Sequence, residues 1–308
     1  MPNTLGHLGI QGIVTRTLIK DADLKWIVLG AIIPDIPWIV QRLALSAPLA
    51  IDPYDLRLYA IVQSSLLFSL VLSAALASLA GRPARTLAVL ALGATLHLLL
   101  DALETKWGNG VLFLAPFSWQ LSSARLFWPE DLISTLLALV GLVYMGYAWK
   151  RLPVVPFALA LPPPRRCLLG GALALGYLLL PLTLMAASEA ADNHYLRTLR
   201  LAGERAGRPV EIDRPYYHKH PGGNVGGNPN SNTVRIFTGE RFHARGLEPP
   251  SSGTVSIKGR FVSDTILEIT AYHLHPAGVR DAGSYIGLAL VAAVWARAAV
   301  MGLRTRPA

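Results

Sequence analysis

The chain has 308 residues, of which 52% are hydrophobic and 15% charged, with a mean hydropathy of +0.41 and a formal charge of +9. An ordinary soluble domain carries roughly 25% charged residues, so this composition excludes a typical soluble protein and points to a helical membrane protein. The basic excess does not by itself imply nucleic acid, because Lys and Arg at loop ends also orient membrane helices. A single cysteine, Cys167, excludes an intrachain disulfide and a Cys-rich metal site.

A bilayer span takes about 20 mostly apolar residues. In chain order, the first apolar segment, 5–19, is short and carries Arg16; it either spans with Arg16 snorkelling to the interface or is re-entrant. Segments 26–43, 56–80, 86–103, 132–149, 167–187 and 284–301 are clear spans. No cleavable signal peptide is expected, since the N-terminus lacks a basic start and a long apolar stretch. The reading is an α-helical polytopic membrane protein with six or seven transmembrane helices. A small extracytoplasmic β-rich, OB-like domain is inserted before the last helix. The units are a helical domain over 1–150, a cytoplasmic loop and helix over 151–187, the β-rich domain over 188–282, and a last helix with a cytoplasmic tail over 283–308. Basic residues set the orientation: Lys20 and Lys25, Arg82 and Arg85, Lys150, Arg151, Arg165 and Arg166, and Arg304 and Arg306 mark cytoplasmic ends. The expected location is the inner (plasma) membrane, multi-pass, with the C-terminus cytoplasmic.

Ionisable residues inside apolar runs are costly and therefore point to function. His97 and Asp101 lie one helical turn apart in LAVLALGATLHLLLDAL and project from one face. Imidazole and carboxylate at that spacing suit a metal ion, although a hydrogen-bonded packing pair has the same spacing. Pro34-Asp35-Ile36-Pro37 interrupts the second span, with Asp35 either a ligand at the break or a cap for freed amides. The topology places His7, Asp35, His97 and Asp101 at similar depth near the outer surface. Asp55, in Asp52-Pro53-Tyr54-Asp55, is a candidate helix N-cap or proton acceptor. Glu104, one turn beyond Asp101, is a candidate general base or a group bonded to a ligand. Gln63, Ser64 and Ser65 inside the third span suit helix packing. Trp107, Trp119, Phe127 and Trp128 in the outer loop suit the membrane interface, or a lid over the site.

The outer segment 188–215 begins helical and becomes extended, and a polar glycine-rich loop covers 218–232. Strands are expected over 233–237, 241–247, 254–262 and 266–273, with a turn at Ser263-Asp264. Their order and lengths suggest the OB-like barrel, but no interleaved aromatic and basic platform for nucleic acid accompanies them. Two H-x-H pairs, His218 with His220 and His273 with His275, are further possible metal ligands.

LGHLGIQG at the N-terminus, AIIPDIPW in the second span, and GATLHLLLDAL followed by WGNGVLFLAPFSW resemble the YdjM-like (LexA-regulated) inner-membrane metal-dependent hydrolases, over residues 1–150. The family pattern is an N-terminal His, Pro-Asp-x-Asp, Thr-His-Ser, and His-x-x-x-Asp before a loop ending in Pro-Phe-x-Trp. Here the matching residues are His7, Pro34-Asp35, His97 and Asp101, and Pro116-Phe117-Ser118-Trp119. The second Asp of Pro-Asp-x-Asp is Pro37, and Gln63-Ser64-Ser65 stands where Thr-His-Ser is expected, so one histidine is missing. The resemblance implies distant similarity to zinc phospholipase C and P1-type nucleases, and thus phosphoester hydrolysis. Two imidazoles and two carboxylates still suffice for one divalent ion, most plausibly zinc, with an open position for water.

The favoured function is a membrane-bound metal-dependent hydrolase of phosphoester or lipid-like substrates. Its metal is held by His7, Asp35, His97 and Asp101, with Glu104 or Asp55 accepting the proton; its partners are the bilayer and an amphipathic or phosphoester substrate, with nucleic acid not expected. The alternative is a non-catalytic membrane scaffold whose outer domain binds an envelope partner, a glycan or a nucleic acid.

Overall fold

A computed structural model describes residues 3–156, 162–220, 231–276 and 278–304. Ten residues of the polar loop expected over 218–232, namely 221–230, lie outside the described residues, as does Arg306.

Helix α1 (Thr4–Leu18) starts at Asn3, whose side chain accepts the Gly6 amide at 3.0 Å. The second apolar segment is broken, as the prolines require. Helix α2 (Leu24–Gly30) gives way to a 3-10 turn (Ile33–Asp35) and then to α3 (Ile36–Ser46), with a bend of 43°. Asp35 makes no side-chain cap bond there. The third segment, expected as one helix, is two: α4 (Pro53–Gln63) and α5 (Leu66–Ser78) meet at 72°. The Ser65 amide tightens the end of α4 by bonding Val62 O, and the Leu66 amide leaves the helix to bond Leu112 O of the outer loop at 3.2 Å. The N-cap of α4 is Asp52, whose side chain accepts the Tyr54 amide, and not Asp55. Gln63 packs as expected, donating to Tyr59 Oη and Tyr177 O.

Helices α6 (Pro83–Leu103), α7 (Leu132–Arg151), α8 (Pro164–Ala190) and α10 (Val279–Arg304) follow, with the short α9 (Leu196–Arg200) after α8. Among the described residues four helices are long and apolar enough to cross a membrane, or up to six spans if each bent pair counts as one. Helix α1, at fifteen residues, is not among them. On α8, only 17% of the apolar window is buried, and Leu175, Leu179 and Leu182 stand exposed, a surface suited to lipid.

Glycines let the helices cross closely. A Cβ on Gly141 of α7 would sit 1.8 Å from Leu5 O of α1, and one on Gly93 of α6 would sit 2.9 Å from the Gly30 Cα of α2. These contacts hold α1 and α2 against α7 and α6 near the helix ends that carry His7, Ala31 and His97. The basic ends gather at the opposite end of the bundle. There Lys25 Nζ bonds Asp23 and Val155 O, Arg166 Nε bonds Ser78 O, and Arg297 bonds Trp149 O.

The β domain is a closed barrel. Strands β1 (Pro209–Ile212) and β2 (Tyr216–His218) pair with successive parts of β5 (Gly253–Phe261) and act as one interrupted strand. The sheet continues through β3 (Thr233–Arg235) and β4 (Arg241–Gly246) to β6 (Ile266–Leu274), which pairs parallel to β4 and closes on β5. With β1 and β2 counted together, five strands form a Greek-key barrel of the expected OB-like type. Tyr217, Val234, Phe242, Val255, Ile257, Phe261 and Leu267 fill it. A register shift at Lys258/Gly259 leaves Thr270 of β6 unpaired. Leu267 and Ile269 point inward before it, Tyr272 and Leu274 join the core after it, and His273 faces the outer loop.

A Gly141→Ala chain is expected to lose roughly 1–3 kcal/mol through overpacking at the α1–α7 crossing. A lower unfolding temperature in detergent, against an unchanged value for Gly146→Ala, whose Cβ meets nothing within 4 Å, is the measurement that checks it.

Candidate metal centre

Pro34 has no amide, and the Asp35 amide bonds Ile32 O in the 3-10 turn, so Ala31 O is left without its usual helical donor. His97, fully buried on α6, uses that carbonyl: its Nδ1 lies 2.7 Å from Ala31 O. A carbonyl only accepts, so Nδ1 carries the proton and the Nε2 lone pair faces the interior. His7, fully buried on α1, stacks on His97 with ring centroids 3.9 Å apart. With its amide oxygen toward His7, Gln11 accepts from His7 Nδ1 at 3.3 Å and from the His97 amide at 3.2 Å, and donates to Gly93 O at 3.0 Å. Both imidazoles therefore present unprotonated Nε2 atoms to one point.

Around that point His7 Nε2 lies 3.4 Å from Asp101 Oδ1, and His97 Nε2 lies 3.4 Å from Asp35 Oδ1 and 3.8 Å from Asp101 Oδ2. His7 Nε2, His97 Nε2, Asp35 Oδ1 and Asp101 Oδ1 are buried without a hydrogen-bond partner among the described residues. Four orphaned atoms at one place in a buried site call for an explanation. Bonds of 2.0–2.2 Å to a tetrahedral zinc put neighbouring ligand atoms about 3.4 Å apart, which is the spacing found. His7, His97 and Asp101 offer ligand atoms within 4.8 Å of one another, whereas Asp35 reaches this group through His97. The four residues singled out in the sequence thus come together as three and one. Three protein ligands with a fourth position open is the form of a catalytic zinc site.

Lys106 lies behind Asp101, 3.3 Å from its Oδ2 and 3.2 Å from Glu104 Oε2. Burial disfavours the ammonium, but Asp101 and Glu104 hold its pKa above the usual lysine value. Glu104, fully buried, thus touches the cluster through Lys106. Asp55 does not reach it: the side chain is paired with Arg200 at 2.8 Å on the rim of the β domain.

A cavity of about 730 Å³ opens over Asp35, His97 and Asp101. Its floor is helical, and its roof comes from the outer loop and the β domain, including Asn109, Asp213, Arg235 and Phe237. His194 also lines it, on a turn where Asp192, His194 and Tyr195 all have φ of +52 to +56°. Such backbone is strained for these residues, and the Asp192 carboxylate steadies it by accepting from Thr198 N and Oγ1. His194 is buried and its Nδ1 has no hydrogen-bond partner among the described residues. Burial, with Arg57 nearby, pulls its pKa down to about 3, so the ring entering the cavity is neutral.

Of the outer-loop aromatics, Trp107 and Trp128 meet the barrel, whereas Trp119 packs against α4, α5 and α8. Trp107 meets Trp128 edge to face at 5.3 Å, Lys258 lies over Trp107, and Trp128 stacks on His273 at 3.7 Å. His273 and His275 meet a third group, Glu130, absent from the sequence reading because it is distant in the chain. One Glu130 oxygen serves both imidazoles. Burial would raise its carboxyl, but these bonds hold it down at about 2, so the Glu130 carboxylate ties the loop to the barrel through hydrogen bonds to both imidazoles. His218 and His220 are joined by no third ligand among the described residues. Sequence reasoning also missed Gln11, Lys106, Arg57 and His194, since only the fold brings them to the site.

Comparisons with family models, curated proteins and solved structures yield no match to this chain.

His194 generates a pH prediction. Its folded pKa lies below the unfolded value of 6.5, so stability is full above pH 6.5 and falls as pH drops toward 3. Replacing it in His194→Gln removes this loss. Between pH 7.5 and 5.5 the wild type should lose about 1 kcal/mol more than the variant, seen as a steeper acid-side fall in unfolding temperature.

Proposed function

We propose that this chain is a membrane-embedded, divalent-metal-dependent hydrolase acting on phosphoester or lipid-like substrates, with zinc as the metal. The observation that carries the reading is the set of buried, partnerless Nε2 and carboxylate oxygen atoms at ligand spacing beside an open cavity. His7, His97 and Asp101 are the proposed ligands. An ion bound there would acidify a water and polarise a phosphoryl group.

The chain's own groups supply the rest. Ala31 O and Gln11 fix the imidazole tautomers. Lys106 orients Asp101 through its contact with Oδ2. Asp35 lines the cavity with its Oδ1 beside His97 Nε2 but without a hydrogen-bond donor, and is the proposed acceptor for the proton released by the attacking water, the part expected of Glu104 or Asp55. The β domain covers the cavity and limits bulk water, so it belongs to the site and is more than a binding appendage. The motifs over residues 1–150 that resemble the YdjM-like hydrolases support the same chemistry. The gathering of basic helix ends opposite the cluster supports an inner-membrane orientation with cytoplasmic termini for α7 and α10 and the cavity on the outer side.

Full-length protein purified in detergent is expected to carry close to one divalent ion per chain, falling below a tenth in His97→Ala. Asp35→Asn should keep the metal yet hydrolyse a chromogenic phosphate ester at least 100-fold more slowly. Metal content that survives His97→Ala unchanged would overturn the reading.

A further inference from the structure

The cluster of His7, His97, Asp35 and Asp101 borders one part of the cavity, and a different group dominates another. Arg57 on α4 lines the cavity with its Nε buried and unpartnered, and no ion pair engages it among the described residues. Its guanidinium is held in place by two aromatic faces, Phe237 of the β domain at 4.6 Å and Trp38 of α3 at 5.6 Å. Asp213 in the same cavity acts on this partly buried cation without forming an ion pair with it, and a desolvated guanidinium with only aromatic faces in contact is costly. His194, itself buried with a free Nδ1, stacks on Trp38 at 5.8 Å beside it. Arg42 and Arg235 line the same cavity, exposed and outside every ion pair among the described residues. The cavity aspartates are engaged elsewhere: Asp35 and Asp101 face the histidines, Asp213 takes the Asn109 amide at 2.9 Å, and Asp281 pairs with Arg280.

We infer that Arg57, with His194 beside it, forms a second anion subsite that binds a phosphate group of the substrate other than the one at the metal cluster. The planar fork of a guanidinium pinned on two aromatic rings matches the oxygens of a phosphate, and the neutral imidazole adds a hydrogen bond without adding charge. The substrate class narrows accordingly to molecules with two phosphate groups, or a phosphate and an equivalent oxyanion, close enough to share a cavity of about 730 Å³. The assignment of the reacting phosphoryl group rests on the hydrolase reading, but the subsite at Arg57 does not. Because Phe237 belongs to the barrel, the subsite exists only when the β domain is docked on the bundle.

The test uses the full chain in detergent, stripped of divalent ions by a chelator, with binding followed calorimetrically. One arm titrates inorganic pyrophosphate, and the other titrates mixed micelles containing phosphatidic acid, so that a free phosphate is distinguished from a lipid headgroup. Binding in either arm should survive metal removal, weaken at least tenfold in Arg57→Gln, and weaken less in Arg57→Lys, while the metal content of the unstripped variants stays at the wild-type level. If Arg57→Gln does not purify as a folded protein, Arg57→Lys decides alone: it keeps the charge but loses the fork, and a threefold or greater loss supports the subsite. No binding by the stripped wild type in either arm, or equal affinity in wild type and variants, overturns it. Arg57-dependent binding by a protein that never carries metal would sustain the subsite and defeat the hydrolase reading. Metal-dependent hydrolysis indifferent to Arg57 would do the reverse.

Discussion

The bond from His97 to Ala31 O is the constraint on which the site depends. It requires a carbonyl that a continuous helix would have used internally. Pro34 and the 3-10 turn that follows α2 release it, and the close crossing at Gly30 and Gly93 brings it within 2.7 Å of the ring. The bond sets the tautomer, and the tautomer turns an unprotonated nitrogen toward His7, Asp35 and Asp101. A residue that looks like a defect in an apolar helix is thereby the source of the geometry. The cost of broken backbone is tolerable because the break faces protein and a cavity and not lipid.

The second level of organisation is the closure of the bundle by the barrel. Helical residues alone would leave the cluster under an open mouth. The outer loop lays Trp107 and Trp128 against the barrel, and the Glu130, His273 and His275 trio fastens the two. The bulge at Thr270 matters here, because it turns the late part of β6 so that His273 leaves the barrel and meets the loop. The docked barrel then delivers Phe237 to Arg57 and Arg235 to the cavity edge, coupling the fold of one domain to the chemistry of the other.

Much of this was legible in the sequence, for physical reasons. Long apolar runs announce helices because lipid tolerates little else, and the strands showed through their alternation, with β3 to β6 falling within a residue or two of their expected limits. Four ionisable residues in apolar surroundings were conspicuous because their burial is expensive, and all four do meet. The bend between α4 and α5 was not legible. It depends on a bond between Leu66 N and Leu112 O, forty-six positions apart in the chain, which no local propensity records.

The sequence by itself determined most of the elements, though not the division of the third segment into α4 and α5, together with the apolar class of the chain and the identity of the costly residues, since propensity, hydrophobic period and burial cost are local or compositional properties. Only the tertiary structure decided their grouping. It set His7, His97 and Asp101 together with Asp35 beside them, removed Asp55 to a pair with Arg200, and placed Lys106 behind Asp101. It also put Arg57 between rings from two domains. Those assignments are distances between segments far apart in the chain, fixed by glycine crossings, a helix break and the docking of the barrel.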